Sequence, residues 1–176
     1  RENPSSIIVV CGCSSQYNLT ISNDGIKENI VVEIKNSEIP TSNDRITPFI
    51  ENDQYPFYGK YDKKYKKKVT RNNDITKVTL DYKYSHDEFK NSYVYKGCFS
   101  NSEFEKYKSG YSLHLYGSFY CLYGDEITIN IKTNNVVLNH NADKVSGHVY
   151  TWIIDRDNMT DVNIQMDISK ELWFNL

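Results

Sequence analysis

The residues able to do chemistry are few and scattered. Four histidines, His86, His114, His140 and His148, are spread from position 86 to position 148. Only His140 and His148 are close enough to meet across a turn, with Asp143 between them, and no cysteine completes a zinc-like spacing there. Asp125 and Glu126 are adjacent ahead of an alternating segment. Neighbours on a strand point to opposite faces, so this pair cannot share a proton. Asp155, Asp157 and Asp161 are loosely spaced like calcium ligands, but the central Gly and terminal Glu of an EF-hand loop are missing, which predicts a solvated loop. No nucleophile elbow, H-E-x-x-H helix, P-loop or dinucleotide fingerprint occurs. The expectation is a non-enzymatic protein with no catalytic residues, no metal site and no cofactor.

Charge supplies a sharper feature. Lys60, Lys63, Lys64, Lys66, Lys67, Lys68 and Arg71 crowd one short segment. In an extended chain Tyr61, Lys63, Tyr65, Lys67, Val69 and Arg71 share one face, and Lys64, Lys66 and Lys68 share the other. A strand so charged is poorly buried, which predicts a sheet edge or a protruding ribbon. Lysines of this kind protect an edge from pairing with another chain. They also suit anionic lipid headgroups or wall polymers, at about 1 kcal/mol per cation near an anionic surface. The formal net charge of −2 gives no global positive field for nucleic acid.

The cysteines fall into two pairs, Cys11 with Cys13 and Cys98 with Cys121. Cys98 and Cys121 are candidates for a disulfide; two buried free thiols in a reducing compartment are the alternative.

The elements that must position these groups are mostly strands. The chain has 176 residues, enough for one domain with its own core. Its apolar residues lean on Ile, Val, Tyr and Phe, with 15 tyrosines and a single alanine, Ala142, a composition suited to pleated surfaces. The expected fold class is α+β: a mostly antiparallel twisted sheet or partly closed β-barrel of eight or nine strands, with one or two short helices. Residues 17–22 and 26–34 alternate around Asn23-Asp24-Gly25, a hairpin signal. Residues 36–54 read as loop. Residues 55–71 and 77–84 read as a second hairpin. Ser85 and Glu88 form a capping box opening a helix over 85–97, closed by Gly97. A helical or irregular piece over 102–108 comes next. Strands are expected at 111–116, 126–132, 136–138, 148–155 and 162–169, with a turn at Asn134-Asn135.

The two ends differ from the middle. Ile7 to Val10 is a short apolar run, and Val10-Cys11-Gly12-Cys13 resembles a lipobox, although the motif does not ordinarily hold a cysteine at the place of Cys11. Residues 1–13 read as a signal-peptide remnant or a first strand. Residues 14–170 read as a single β-rich extracytoplasmic domain. Residues 171–176, with Leu172, Trp173 and Phe174, read as the start of a C-terminal transmembrane helix or as a last strand.

Residues 13–21 resemble the start of a mature bacterial lipoprotein, and Asn139 to Val145 running into Tyr150-Thr151-Trp152 is similar to Gram-positive membrane lipoproteins with an LppM-like domain. The same stretch also explains itself as a structural corner, with Val145 entering the core. The resemblance implies a lipid on Cys13 and a tether on the outer face of the cytoplasmic membrane, by that lipid, a C-terminal helix or both. It implies no catalytic residue. The function expected is therefore a membrane-tethered extracytoplasmic binding domain for anionic lipid or cell-envelope polymer, using Lys63, Lys64, Lys66, Lys67, Lys68 and Arg71. A protein-interaction or structural domain of an envelope complex is the alternative.

Overall fold

The computed structural model describes residues 14–39, 54–55, 59–60, 65–121 and 124–173. Cys11, Cys13, Lys63 and Lys64 lie outside the described residues.

Strand β1 (Ser14–Ser22) buries Tyr17, Leu19 and Ile21 and turns Gln16, Asn18 and Thr20 the other way. That alternation is what one buried face and one wet face require of a strand. It pairs in antiparallel register with β2 (Gly25–Lys35) through the expected turn. Gly25 is needed there: its φ is +139°, and a Cβ at that position would lie 2.6 Å from the Tyr84 carbonyl oxygen. Two residue pairs form a small ribbon, β3 (Gln54–Tyr55) with β4 (Gly59–Lys60). The second hairpin joins β5 (Lys66–Arg71) to β6 (Ile75–Tyr84). The chain then runs through β7 (Phe99–Lys106), β8 (Gly110–Phe119), β9 (Glu126–Lys132), β10 (Asn135–His140), β11 (Lys144–Ser146), β12 (Val149–Asp155) and β13 (Val162–Leu172).

These strands form two main sheets. The larger has seven strands in the order β11-β12-β9-β1-β2-β6-β5, and the smaller has four in the order β10-β13-β8-β7. Among the described residues all pairings are antiparallel except β1 with β9, which run parallel at the centre of the large sheet. The inward residues of both sheets, among them Leu19, Ile129, Trp152, Leu115 and Met166, form one apolar cluster. Two asparagines stitch the sheets together. Asn135 is 1% exposed and donates to the Asn23 side chain at 2.8 Å and the Ser169 carbonyl at 2.9 Å. Asn141 accepts from the Trp152 indole N–H at 3.0 Å and the Gln165 backbone N–H at 2.8 Å, and donates to the Asn163 carbonyl at 2.9 Å.

The β-rich character and scarcity of helix match expectation, while several particulars do not. The sheets do not close into a barrel, and there are thirteen strands among the described residues. No α-helix occupies 85–97. The capping box does form, with Ser85 N–H donating to the Glu88 carboxylate at 3.2 Å and Glu88 N–H to the Ser85 hydroxyl at 3.3 Å. The chain then makes only a 3-10 turn, Phe89–Asn91, and a π-helical turn, Val94–Cys98, separated by Ser92 in an extended conformation. Aromatic and β-branched residues from Phe89 to Tyr95 favour helix weakly, and burial of Phe89, Ser92 and Val94 in the core decides the path. The stretch 102–108 is largely strand: β7 is a sheet edge whose outer residues are polar, so its alternation is faint. Asn135 belongs to β10, not to a turn, and Val145 is 45% exposed and does not enter the core. Glu171 and Leu172 continue β13. No described helix is long and apolar enough to cross a membrane.

Cys98 and Cys121 are joined in a disulfide. The bond ties the π-helical turn to the segment after β8 across a sequence separation of 23. A cross-link of that span restricts the unfolded chain and is worth about 3 kcal/mol. Urea unfolding should accordingly show a loss of about 3 kcal/mol for the Cys98→Ser/Cys121→Ser pair. A loss below about 1 kcal/mol would mean that the unfolded chain is already restricted there.

Candidate functional site

The face of the large sheet turned away from the core carries an ordered polar row. Strand register sets Lys144 opposite Thr151, then Asn130, Asn18, Asn29, Asp81 and Lys66, one residue from each of the seven strands. Four hydrogen bonds connect its middle. Thr151 Oγ1 donates to Asn130 Oδ1 at 2.8 Å, and Asn130 Nδ2 donates to Asn18 Oδ1 at 2.9 Å. Asn18 Nδ2 donates to Asn29 Oδ1 at 2.9 Å, and Asn29 Nδ2 to Asp81 Oδ1 at 2.7 Å. Every bond points toward the Asp81 carboxylate, which accepts the last of them. Aligned hydrogen bonds of this kind polarise one another, and a charged acceptor strengthens the final link.

A second row is basic. Thr20 stands between Lys27 and Lys132, and Lys27 is opposite Lys83. Lys27, Lys66 and Lys83 border a groove of about 510 Å³ with Asn18, Asn29 and Asp81. Among the described residues none of these three lysines is in an ion pair; the described pairs are Lys77 with Glu33 and Arg156 with Asp125.

The lysine-rich strand is the edge strand β5, as its charge predicted. Its described cations do not share one face. Lys66 and Lys68 lie opposite Asp81 and Thr79 and share their outer face, and both are exposed. Lys67 is on the other face and half-buried, and Arg71 ends the strand opposite Thr76. The groove thus takes Lys66 from the expected set and adds Lys27, Lys83, Asn18, Asn29 and Asp81, which sequence reasoning missed. Their outward phase was readable in β1, β2 and β6; the order of strands that assembles them was not.

Directly beneath the groove the same strand β2 turns Glu28 inward, where it is 1% exposed. Its Oε1 accepts from the Tyr65 hydroxyl at 2.9 Å, and Tyr65 and Tyr84 hydroxyls bond each other. The Tyr93 backbone N–H donates to the Tyr65 hydroxyl at 3.3 Å. Tyr17, Tyr84 and Ser92 hydroxyls border the carboxyl, yet Oε2 and the Tyr17 hydroxyl have no partner of good geometry. Burial dominates and pushes the Glu28 carboxyl up to about 8, against the lowering pull of the surrounding hydroxyls. Burial, followed by the nearby Glu28 charge, pushes the Tyr17 phenol up in turn.

Several of the other residues singled out by type make local contacts within the fold. The His86 ring nitrogen lies 2.8 Å from the Ser22 carbonyl and its ring stacks on Tyr111 at 4.4 Å. His114 bonds Asn163 and stacks on Tyr116. His140 Nδ1 accepts from the Ala142 N–H. Asp143 accepts from the Ile153 N–H, and Asp155 accepts from Asp157 and Asn158 N–H groups in a self-closed turn. No three metal-ligating side chains converge among the described residues.

No family model matches the chain, and no curated protein does. Among solved structures it is similar to the folded domain of the Mycobacterium tuberculosis LppM protein, determined by NMR, with a TM-score of 0.61 and 12% identity over 97% of this chain and 96% of that one. At that identity the likeness is one of fold.

The buried carboxyl makes a pH prediction. A group whose pKa is raised on folding contributes stability that is complete below its ordinary value and lost as pH rises through the folded one. For Glu28 that window runs from 4.5 to about 8. Wild-type stability should fall across it relative to Glu28→Gln by roughly 1.4 kcal/mol per pH unit. Urea midpoints at several pH values would show parallel curves for the two proteins if Glu28 were ionised throughout.

Proposed function

We propose that this chain is a non-enzymatic, membrane-tethered extracytoplasmic domain that binds an anionic ligand, lipid headgroup or envelope polymer, on the basic groove of its large sheet. One observation carries the reading: Lys27, Lys66 and Lys83, from three adjacent strands, border one groove with none of them in an ion pair among the described residues. Three cations against the single Asp81 carboxylate leave the groove with an excess of positive charge, which an anion offsets. Fold likeness to the LppM domain and the lipobox-like Val10-Cys11-Gly12-Cys13 support the envelope part. Lys68 extends the basic surface along the edge.

A protein-interaction role has its own support in Leu138, which is 70% exposed on β10, an edge strand of the small sheet.

Co-sedimentation with phosphatidylglycerol and phosphatidylcholine vesicles, and titration with an anionic polysaccharide, test the proposal at low and high salt. Binding is expected to the anionic probes alone and to fade with salt. Lys27→Ser/Lys66→Ser/Lys83→Ser should weaken it roughly a hundredfold, at about 1 kcal/mol per cation. Absence of binding to every anionic probe would remove the groove from consideration and favour the Leu138 face.

A further inference from the structure

We infer that the amide row from Thr151 to Asp81 is the floor of an extended site for an anionic, hydroxyl-rich polymer: a sugar or polyol chain bearing carboxylate or phosphate, lying across the strands. This rests on the anionic-ligand reading above and selects the polymer over the lipid headgroup.

The reasoning begins with unused hydrogen-bonding capacity. An asparagine side chain offers two N–H donors and two acceptor lone pairs. In the row, Asn130, Asn18 and Asn29 each donate once and accept once through the side chain. The second N–H and the second lone pair of each are left for the solvent side. Each internal bond fixes which end of the amide is oxygen and which is nitrogen, so donors and acceptors repeat in one sense along the row. Sugar and polyol hydroxyls, which donate and accept, match such a surface better than an acceptor-only phosphate does.

Pre-organisation is the second point. Thr151, Asn130, Asn18 and Asn29 are all half-buried and bonded to their neighbours. Their side chains are already ordered, so a ligand need not order them on binding.

Length and charge give the third. Seven strands span six intervals of about 4.8 Å, so the row from Lys144 to Lys66 is about 29 Å long. A lipid headgroup covers a fraction of that; a polymer covers it all. The row contains no apolar side chain to enter a bilayer. Lysines flank it at Lys144 and Lys66 and along one side at Lys132, Lys27 and Lys83, five cations against the one carboxylate of the row, Asp81, so charges on a chain laid over the amides meet cations at both ends and beside it.

The test separates hydroxyl recognition from charge recognition. The full chain is titrated with oligogalacturonate long enough to span the row, with polyglutamate of equal charge but no hydroxyls, and with phosphatidylglycerol vesicles. Oligogalacturonate should bind more tightly than polyglutamate. Asn18→Ala/Asn130→Ala should weaken oligogalacturonate about tenfold, from the loss of two amide contacts, and leave polyglutamate unchanged. The triple lysine variant should weaken both. In the wild-type protein, the side-chain NH2 resonances of Asn18, Asn29 and Asn130 should shift with oligogalacturonate and stay in place with polyglutamate, a readout that needs no variant to fold. Equal affinity for the two polymers with unmoved asparagine resonances would overturn the inference while leaving the anionic-ligand reading intact. Binding to vesicles alone would do the same in favour of lipid. Failure of all three probes would defeat both readings together.

Discussion

A carboxyl group facing the core is the constraint around which one side of this molecule is arranged. Glu28 sits at 1% exposure with apolar strands on either side. An uncompensated polar group at that depth costs several kcal/mol, so hydroxyls must be brought to it. The Tyr65 hydroxyl is the one with good geometry. Tyr65 immediately precedes β5, so the bond fixes where the edge strand starts pairing with β6. Tyr93 N–H then binds the same hydroxyl and brings in the start of the π-helical turn, whose last residue is held by the disulfide. Strand, edge and turn converge on one oxygen. Aromatic packing of Tyr65, Tyr82 and Tyr84 closes the space around it, with ring centroids 4.3 to 6.4 Å apart.

The period of two along a strand joins this interior to the exterior. Glu28 points in; Lys27 and Asn29, its neighbours, point out and line the groove. β1 is set in the same way, with Tyr17, Leu19 and Ile21 against the core and Asn18 and Thr20 on the outer face. A slip of one residue between β1 and β2 would exchange the two sets, burying amides and exposing the core. The hydrophobic set therefore specifies the register of the polar row. That is why residues far apart in sequence, Asn18 and Asn130, meet at 2.9 Å.

Local features of the fold were legible in the sequence wherever they expressed that alternation. The hairpin around Asn23-Asp24-Gly25 and the strand at 126–132 derive from it, and the edge position of the lysine-rich segment from its charge. Glu28 was legible in principle: Ile26, Ile30, Val32 and Ile34 set the phase, and position 28 falls on it. The helix over 85–97 failed for a different reason. Its start signal was sound and its capping box exists, but a cap nucleates a turn without extending it, and the core claimed Phe89, Ser92 and Val94 instead. The candidate site was mostly hidden, because it depends on β1 lying between β2 and β9. The β1–β9 contact is parallel and joins segments more than a hundred residues apart; no hairpin or turn announces it.

That strand order also bears on what the lysines are for. Edge protection accounts for cations on β5, which has neighbours on one side only. It does not account for Lys27 on β2, which is paired on one side with Thr20 of β1 and on the other with Lys83 of β6 and so exposes no edge. Lys27, Lys83 and Lys66 put three like charges around one groove, where they repel one another. Asp81 lies among them, but it is engaged by the Asn29 amide and forms no ion pair with any of the three. An edge-protecting strand would need none of this arrangement. The outer face of the large sheet instead sets these cations beside a polar row whose members are joined by hydrogen bonds, a grouping that edge protection does not require.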